Sequence, residues 1–153
     1  MNAIITAERP DTFDAVALIT ELEATLEPLY PQESRHGLSV ARLIEESVPF
    51  FVLRADGIAA GCGGVKLFGT EYGEIKRMYI RPVYRGMGFA KQMLNHLIDY
   101  AQAQGVSLIR LETGVHQREA IGLYNRMGFR RVGPFGDYRA DPLSLFYEKS
   151  IRA

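Results

Sequence analysis

Residues 81–94 combine residue types that are suited to holding a phosphate group. This stretch reads RPVYRGMGFAKQML and lies where an apolar run gives way to a helical pattern. Gly86 and Gly88 permit unusual backbone dihedrals and let a ligand approach the main chain. The first amides of a helix lack intrahelical partners, and the helix dipole places partial positive charge there. Because Arg85 adds a planar fork of donors, the stretch is predicted to bind an anion such as a phosphate.

Three phosphate-binding patterns compete for this stretch. A Walker A loop requires Gly-Lys followed by Ser or Thr, which does not occur here. A dinucleotide fingerprint requires a third glycine at position 91, where the chain has Lys91. The shorter pattern R-x-x-G-x-A remains, and it is met by Arg85, Gly88 and Ala90.

Hydrophobic spacing predicts the elements that position this loop. Period-two patterns and apolar runs predict strands at residues 2–6, 49–54, 58–68, 72–80, 107–112, 129–132 and 143–149. Helical spacing predicts a helix that opens at Pro10 and Asp11, and further helices at 39–46, 87–104 and 117–127. Segment 72–112 has the length of a right-handed crossover, so its two strands should be parallel neighbours. The hairpin-linked strands before it are antiparallel, which predicts a mixed α/β sheet with helices on its faces.

Composition favours a single globular domain covering residues 1–153. The 18 basic and 18 acidic residues cancel, so nothing indicates binding to nucleic acid or to an anionic membrane. Cys62 is the single cysteine and is interpreted as a small buried thiol, which fits a reducing compartment. The sequence shows no signal-peptide pattern and no apolar run of membrane-spanning length, so a cytoplasmic location is expected. The three histidines lack ligand spacing, so no metal site is predicted.

With its surroundings, the loop resembles that of the GNAT superfamily of acyl-CoA-dependent N-acetyltransferases, where Gln or Arg begins the pattern and Gly or Ala ends it. The resemblance covers about residues 50–149. It includes EAIGLYNRMGF, whose positions Ala120, Leu123, Tyr124, Gly128 and Phe129 match the family pattern A-x-x-L-Y-x-x-x-G-F. A narrower group of uncharacterised small-molecule members is similar in PQESRHGL, AAGCGGVK, LETG and PFGDYRADPLSLFYEK.

The resemblance implies a mainly antiparallel sheet whose central pair of parallel strands splays apart. It also implies direct transfer of an acetyl group from acetyl-CoA, used as co-substrate, to a primary amine of a small-molecule acceptor. A homodimer is an expectation by analogy. One rival is an acyl-CoA-binding sensor or interaction module on the same fold without catalysis, and another is a generic phosphate or nucleotide binder.

The resemblance further implies which residues hold the cofactor. The main chain that runs beside the pantetheine arm, and supplies an oxyanion donor near its start, belongs to Met78, Tyr79 and Ile80. The diphosphate is assigned to the loop residues Arg85, Gly86, Met87, Gly88, Phe89 and Ala90. Gln117 stands where many relatives have an asparagine that contacts the cofactor. Lys91 and Arg126 either reach the phosphates of the nucleotide or are solvated helix surface.

A base is needed because only about one part in a thousand of an alkylammonium is neutral near pH 7.4. By resemblance Glu74 is the candidate, since it lies eleven positions before Arg85, where several family members carry a catalytic glutamate. The alternative is a surface charge of the sheet that pairs with Lys76 or Arg77. Glu112 on the neighbouring strand is the reserve base.

The leaving thiolate, with a thiol pKa of about 8.5, departs more readily when it is protonated. Tyr124 occupies the family's general-acid position, although it also lies on the apolar stripe of its helix and is alternatively a core tyrosine. The acceptor wall is expected from the N-terminal loop and the other end of the chain, at Tyr30, Glu33, Ser34, Arg35, His36, Asp137 and Tyr138. Arg35 suits a carboxylate on the acceptor and Glu33 an ammonium, and a solvated polar loop is the alternative.

Overall fold

The computed structural model describes residues 1–151, which form one sheet with helices on both faces. The strands are β1 (Ala3–Ala7), β2 (Phe50–Ala55), β3 (Ile58–Phe68), β4 (Tyr72–Ile80), β5 (Leu108–Gly114), β6 (Arg130–Val132) and β7 (Ser144–Ser150). The α-helices are α1 (Phe13–Leu26), α2 (Val40–Glu45), α3 (Phe89–Ala103) and α4 (Arg118–Arg126). Two single turns of 3₁₀-helix cover Gln32–Ser34 and Pro82–Tyr84.

The sheet has the order β1-β2-β3-β4-β5-β7-β6, and β4–β5 is its parallel pair within the described residues. Helices α3 and α4 pack in one hydrophobic core, while α1 and α2 pack in a second core on the opposite face. This arrangement confirms the predicted mixed sheet with helices on both faces. No helix among residues 1–151 combines the length and the apolar character that a membrane crossing requires.

Local chemistry explains where the helices begin. The side chain of Thr12 accepts a hydrogen bond from the amide of Ala15, so α1 starts at Phe13 and not directly after Asp11. Ser39 caps α2 in the same way by accepting from the amide of Arg42, as its sequence position predicted. Helix α3 starts at Phe89, two residues later than predicted, because the chain is still left-handed at Gly88.

The parallel strands β4 and β5 separate soon after they meet. Their registered pairs are Gly73–Ile109 and Glu74–Arg110, although both strands continue beyond these residues. From Ile75 onwards, β4 therefore has no registered partner on its β5 side. This divergence confirms the predicted splay and opens a gap in the middle of the sheet.

A β-bulge at Arg77 changes which side chains of β4 share a face. Strict alternation predicts Glu74 on the same face as Lys76, Met78 and Ile80, but the register with β3 shifts between Cys62 and Gly64. Arg77 has a positive φ of 54° at this shift. The side chains of Ile75, Met78 and Ile80 consequently all pack in the core under α3 and α4. The prediction that Glu74 shares a face with Met78 and Ile80 is therefore wrong, because the bulge inserts one residue between them.

Cys62 lies in the core beneath α1 and is fully buried. Its thiol donates a hydrogen bond to the carbonyl of Arg77, with 3.3 Å between sulfur and oxygen. Burial raises the pKa of Cys62 to about 12, which keeps the sulfur protonated and unreactive. The interpretation of Cys62 as a small buried thiol is confirmed.

Candidate active site

The loop between β4 and α3 has the backbone that an anion site requires. Gly86 and Gly88 have φ values of 80° and 81°, which side-chain-bearing residues rarely adopt. The amide of Gln92 donates to the carbonyl of Gly88, so the amides of the preceding helical residues lack intrahelical acceptors. A Cβ placed on either glycine would meet no atom within 4 Å, so both face open space that a ligand can enter.

Arg85 is anchored at the edge of this loop. Its Nε donates to the carbonyl of Ile80 over 3.1 Å, which fixes the guanidinium beside the end of β4. The sequence placed Arg85 in the phosphate motif, and the structure brings it next to the open loop. Lys91 and Arg126, the other candidate phosphate contacts, are exposed on α3 and α4.

A cavity of about 140 Å³ occupies the gap between β4 and β5. Its wall includes both candidate bases, the candidate acid and part of the predicted acceptor wall. Among the residues that line it are Glu74, Glu112, Tyr124, Tyr30, Arg35 and Tyr138. Met78 and Gln117 also reach this cavity, whereas the side chains of Tyr79 and Ile80 are buried in the two cores.

Glu74 is held firmly by neighbours within the protein. It is 3% exposed and lies 3.0 Å from the Nζ of Lys76. The hydroxyl of Tyr138 donates a hydrogen bond to the same carboxylate. Lys76 also donates to the Tyr138 hydroxyl over 2.9 Å and to the carbonyl of His36 over 3.2 Å. Glu74 thus faces the cavity and forms the Lys76 pair of the alternative interpretation, but it is buried, so the prediction of a surface charge is wrong.

Glu112 faces the same cavity from β5 and has a different electrostatic environment. Burial raises its pKa from an ordinary 4.5 to about 7, which outweighs the lowering by the Ser144 hydroxyl and by Lys76. The carboxylates of Glu74 and Asp141 add to the rise. A carboxyl group with a pKa near 7 is close to half ionised at neutral pH, which suits it to accept a proton there.

Tyr124 is both a core residue and a cavity residue. Its ring packs against those of Phe129 and Tyr147, with centroids 5.7 Å and 6.0 Å apart. The interpretation of Tyr124 as a core tyrosine is confirmed, and since it also lines the cavity, its role as general acid stays a prediction. Burial raises the pKa of Tyr124, and the charge of Glu112 adds to the rise, so the phenol stays protonated.

Tyr30 connects the N-terminal loop to the start of α4. Its hydroxyl donates to Oε1 of Gln117 over 2.9 Å and accepts from the amide of His116 over 2.9 Å. A Cβ at Gly114 would overlap the Tyr30 hydroxyl, which explains the glycine of LETG. The carbonyl oxygen of Gln117 is therefore engaged within the protein, and its cofactor contact stays a prediction.

Part of the predicted acceptor wall lines the cavity. Five of the seven predicted residues line the cavity, namely Tyr30, Ser34, Arg35, His36 and Tyr138. Glu33 and Asp137 are exposed and do not line it. Sequence reasoning missed Asp141, which accepts a hydrogen bond from the Ser34 hydroxyl over 2.6 Å and fixes the Gln32–Ser34 turn. The only sequence signal for Asp141 was its position in the stretch PFGDYRADPLSLFYEK, which the narrower family group shares.

The sequence also matches a known family model, described as the acetyltransferase (GNAT) family, over residues 15–129. The chain belongs to the GNAT family. This acetyltransferase is 43% identical over 152 residues to the IAA acetyltransferase of Azospirillum brasilense. The alignment covers 98% of this chain and 99% of that protein. As an acetyltransferase of this family it uses acetyl-CoA as co-substrate, as expected.

Solved structures share its fold. A candidate acyl-CoA N-acyltransferase from Klebsiella pneumoniae superposes with a TM-score of 0.84 at 35% identity, over 98% of each chain. The PaiA N-acetyltransferase of Thermoplasma acidophilum, solved with coenzyme A, gives a TM-score of 0.76 over 98% of this acetyltransferase and 99% of that chain. At 20% identity, the second likeness concerns the fold alone.

Within residues 1–151 the acetyltransferase has no group of three or more His, Cys, Asp or Glu residues that could hold a metal ion.

Proposed function

We propose that the acetyltransferase acts on a primary amine of a small molecule that binds in the cavity between β4 and β5. The observation that carries this proposal is that Glu112 and Tyr124 line one cavity. The raised pKa of Glu112 suits it to accept a proton, and the raised pKa of Tyr124 keeps a proton available for donation. The cavity of about 140 Å³ has room for roughly five water molecules at about 30 Å³ each, which suits a small amine.

The residues of the loop and of the gap fit acetyl-CoA. We assign the diphosphate to the loop Arg85, Gly86, Met87, Gly88, Phe89 and Ala90, because its glycines face open space and the first amides of α3 are free. The edge of β4 at Met78, Tyr79 and Ile80 offers main-chain groups to an extended arm, since pairing with β5 ends at Glu74. Gln117, at the N-terminus of α4, offers its side-chain amide nitrogen to the cofactor.

Acetyl-CoA supplies an acetyl thioester, and transfer forms a bond from the amine nitrogen to the acetyl carbon while the carbon–sulfur bond breaks. We assign the role of base to Glu112, the reserve candidate. A carboxyl group with a pKa of about 7 lies about 2.5 units closer to the pKa of an alkylammonium than an ordinary glutamate with a pKa of 4.5 does. This lowers the cost of removing the proton by roughly 3–4 kcal/mol.

Glu74, the first candidate base, has a second role available. Its carboxylate holds Lys76 and Tyr138, and through Lys76 it connects to the carbonyl of His36. We therefore assign Glu74 to positioning the acceptor wall, and its role as base is the competing assignment. Tyr124 keeps its proton and donates it towards the departing sulfur, as a general acid in the cavity.

A thiol-release assay tests the proposal, with acetyl-CoA and a panel of amino acids, polyamines, aminoglycosides and lysine peptides. The name of the Azospirillum brasilense relative makes IAA a further compound to include. We expect release with at least one small amine and with none of the peptides. Release with peptides alone would contradict the small-molecule acceptor. Binding of acetyl-CoA without release from any compound would favour the non-catalytic sensor, which the acetyltransferase names of the relatives do not support.

A further inference from the structure

Arg35 carries a polar atom that the protein leaves without a partner. Its Nε is buried and makes no hydrogen bond within the described residues. The side chain is 21% exposed and lines the cavity, so the guanidinium borders the space where the acceptor is proposed to bind, although the Nε itself is covered by the protein. A buried donor without an acceptor is costly, and native structures rarely keep one without a reason.

The ion pair of Arg35 is weak. Its Nη1 lies 3.5 Å from Oε1 of Glu23, whose side chain is 40% exposed. The other oxygen of Glu23 is taken by Arg77 at a shorter distance of 3.0 Å. Arg35 therefore retains most of the planar donor fork that matches a carboxylate.

The other cationic side chains around the cavity are engaged by the protein. Lys76 contacts Glu74, the Tyr138 hydroxyl and the His36 carbonyl, which accounts for the three protons of its ammonium group. Arg77 donates to the carbonyl of Leu38 over 2.8 Å and pairs with Glu23. His36 adds no charge at neutral pH, because burial lowers its pKa and the charge of Lys76 lowers it further.

The position of Arg35 is fixed by its neighbours in the chain. Ser34, directly before it, is tied to Asp141 by a hydrogen bond of 2.6 Å. A Cβ at Gly37 would overlap the guanidinium of Arg77, so the loop packs closely against β4. The donors of Arg35 are thus held at one wall of the cavity, while the carboxylates of Glu74 and Glu112 lie at the strands β4 and β5.

We propose that the acceptor carries a carboxylate as well as an amine, as an amino acid does, and that Arg35 binds this carboxylate. The inference rests on the proposed function and adds the acceptor's chemical class. The guanidinium takes the carboxylate through the groups that border the cavity, and the amine is directed towards the acidic side of the cavity. An acceptor without a carboxylate leaves the guanidinium with only its weak ion pair to Glu23 and is discriminated against for that reason.

Paired substrates test the inference in the wild-type enzyme. Each protein amino acid other than proline is assayed beside its own α-carboxamide, which keeps the amine and the side chain and removes the negative charge of the α-carboxylate. We expect acetyl-CoA-dependent thiol release with one or more amino acids, at a kcat/KM about 10- to 100-fold above that of the matching carboxamide. The amine of the carboxamide is less basic, so a larger fraction of it is neutral and reactive at the pH of the assay. Amine ionisation alone would therefore favour the carboxamide over the amino acid.

Variants then locate the effect at Arg35. Arg35→Gln is expected to raise the KM for the amino acid about 10- to 100-fold while the KM values for the carboxamide and for acetyl-CoA stay the same. Arg35→Lys keeps the positive charge but lacks the planar fork of donors. Its KM for the amino acid should lie between those of the wild type and Arg35→Gln. Arg9→Gln is the matched control, since Arg9 is exposed and pairs only with its neighbour Asp11 among the described residues. Thermal melting of each variant checks that the fold is intact.

The outcomes separate this inference from the proposed function. Equal use of amino acids and carboxamides, or an equal loss of both in Arg35→Gln, overturns the carboxylate site and leaves the acetyltransferase activity on small amines intact. Release with diamines and not with amino acids has the same meaning. Binding of acetyl-CoA with no release from any amine overturns the proposed function, and the inference with it.

Discussion

Replacing Glu112 by glutamine tests the electrostatics on which the assigned base depends. The substitution keeps size and polarity but removes the ionisable group. In the wild-type protein, burial raises the pKa of Glu112 from 4.5 to about 7. A rise of this size corresponds to about 3 kcal/mol of differential free energy between the two protonation states. Partial access of water to the side chain reduces the expected effect to about 2 kcal/mol.

The sign of the stability effect follows from the raised pKa. Below about pH 4.5, Glu112 is neutral in the folded and the unfolded chain, and its contribution to stability is fully present. As pH rises through about 7, the unfolded chain ionises first and this contribution is lost. Glu112→Gln cannot ionise, so relative to the wild type it should gain about 2 kcal/mol of unfolding free energy between pH 4.5 and pH 8.

Urea denaturation of both proteins at intervals from pH 4.5 to pH 8 measures this difference. Glu119→Gln is the matched control, because Glu119 is exposed in the first turn of α4. For catalysis, Glu112→Gln is expected to lower kcat/KM about 100-fold or more and to abolish the limb of the pH-rate profile near pH 7. A free-energy difference that stays constant across this pH range would refute the raised pKa. An unchanged pH-rate profile would return the role of base to Glu74.

The remaining predictions concern the acid, the competing base and one close contact. Tyr124→Phe should lower kcat about 10- to 1000-fold with the Kd for acetyl-CoA unchanged, and steady-state kinetics with equal kcat would remove Tyr124 from the reaction. Glu74→Gln should destabilise the fold by about 2–4 kcal/mol, because Lys76 loses its buried partner, yet retain the pH-rate limb near 7. Loss of that limb would identify Glu74 as the base. Gly114→Ala should lower the unfolding free energy by about 1–3 kcal/mol through overlap with the Tyr30 hydroxyl, and a neutral result in denaturation would show that the loop yields.

Much of the fold is visible in the sequence because local rules govern it. The spacing of apolar residues placed every strand and α-helix within about three residues, and the crossover length gave the parallel pair, but neither 3₁₀ turn was predicted. The anion loop was equally accessible, since glycines with positive φ before a helix are a local feature. The family resemblance supplied the splay of β4 and β5, which no local pattern encodes.

Other features depend on contacts that the sequence does not display. The hydroxyl of Tyr30 meets Gln117 across 87 positions of the chain, and no spacing rule connects them. The ranking of Glu74 over Glu112 followed a family position, whereas the structure pairs Glu74 with Lys76 and shows that burial raises the pKa of Glu112. The bulge at Arg77 was missed because a strand with one extra residue has the same residue types as a regular strand.

That bulge restricts how the length of β4 can vary among related proteins. The residue inserted at Arg77 determines that Tyr79 faces α1 and Ile80 faces α3. A chain lacking one residue there would exchange the two, moving a phenol into the space of an aliphatic side chain on one face and leaving a void on the other. Single-residue gaps within this strand should therefore be absent from aligned homologues that keep both packing layers, unless β3 changes length at the facing position.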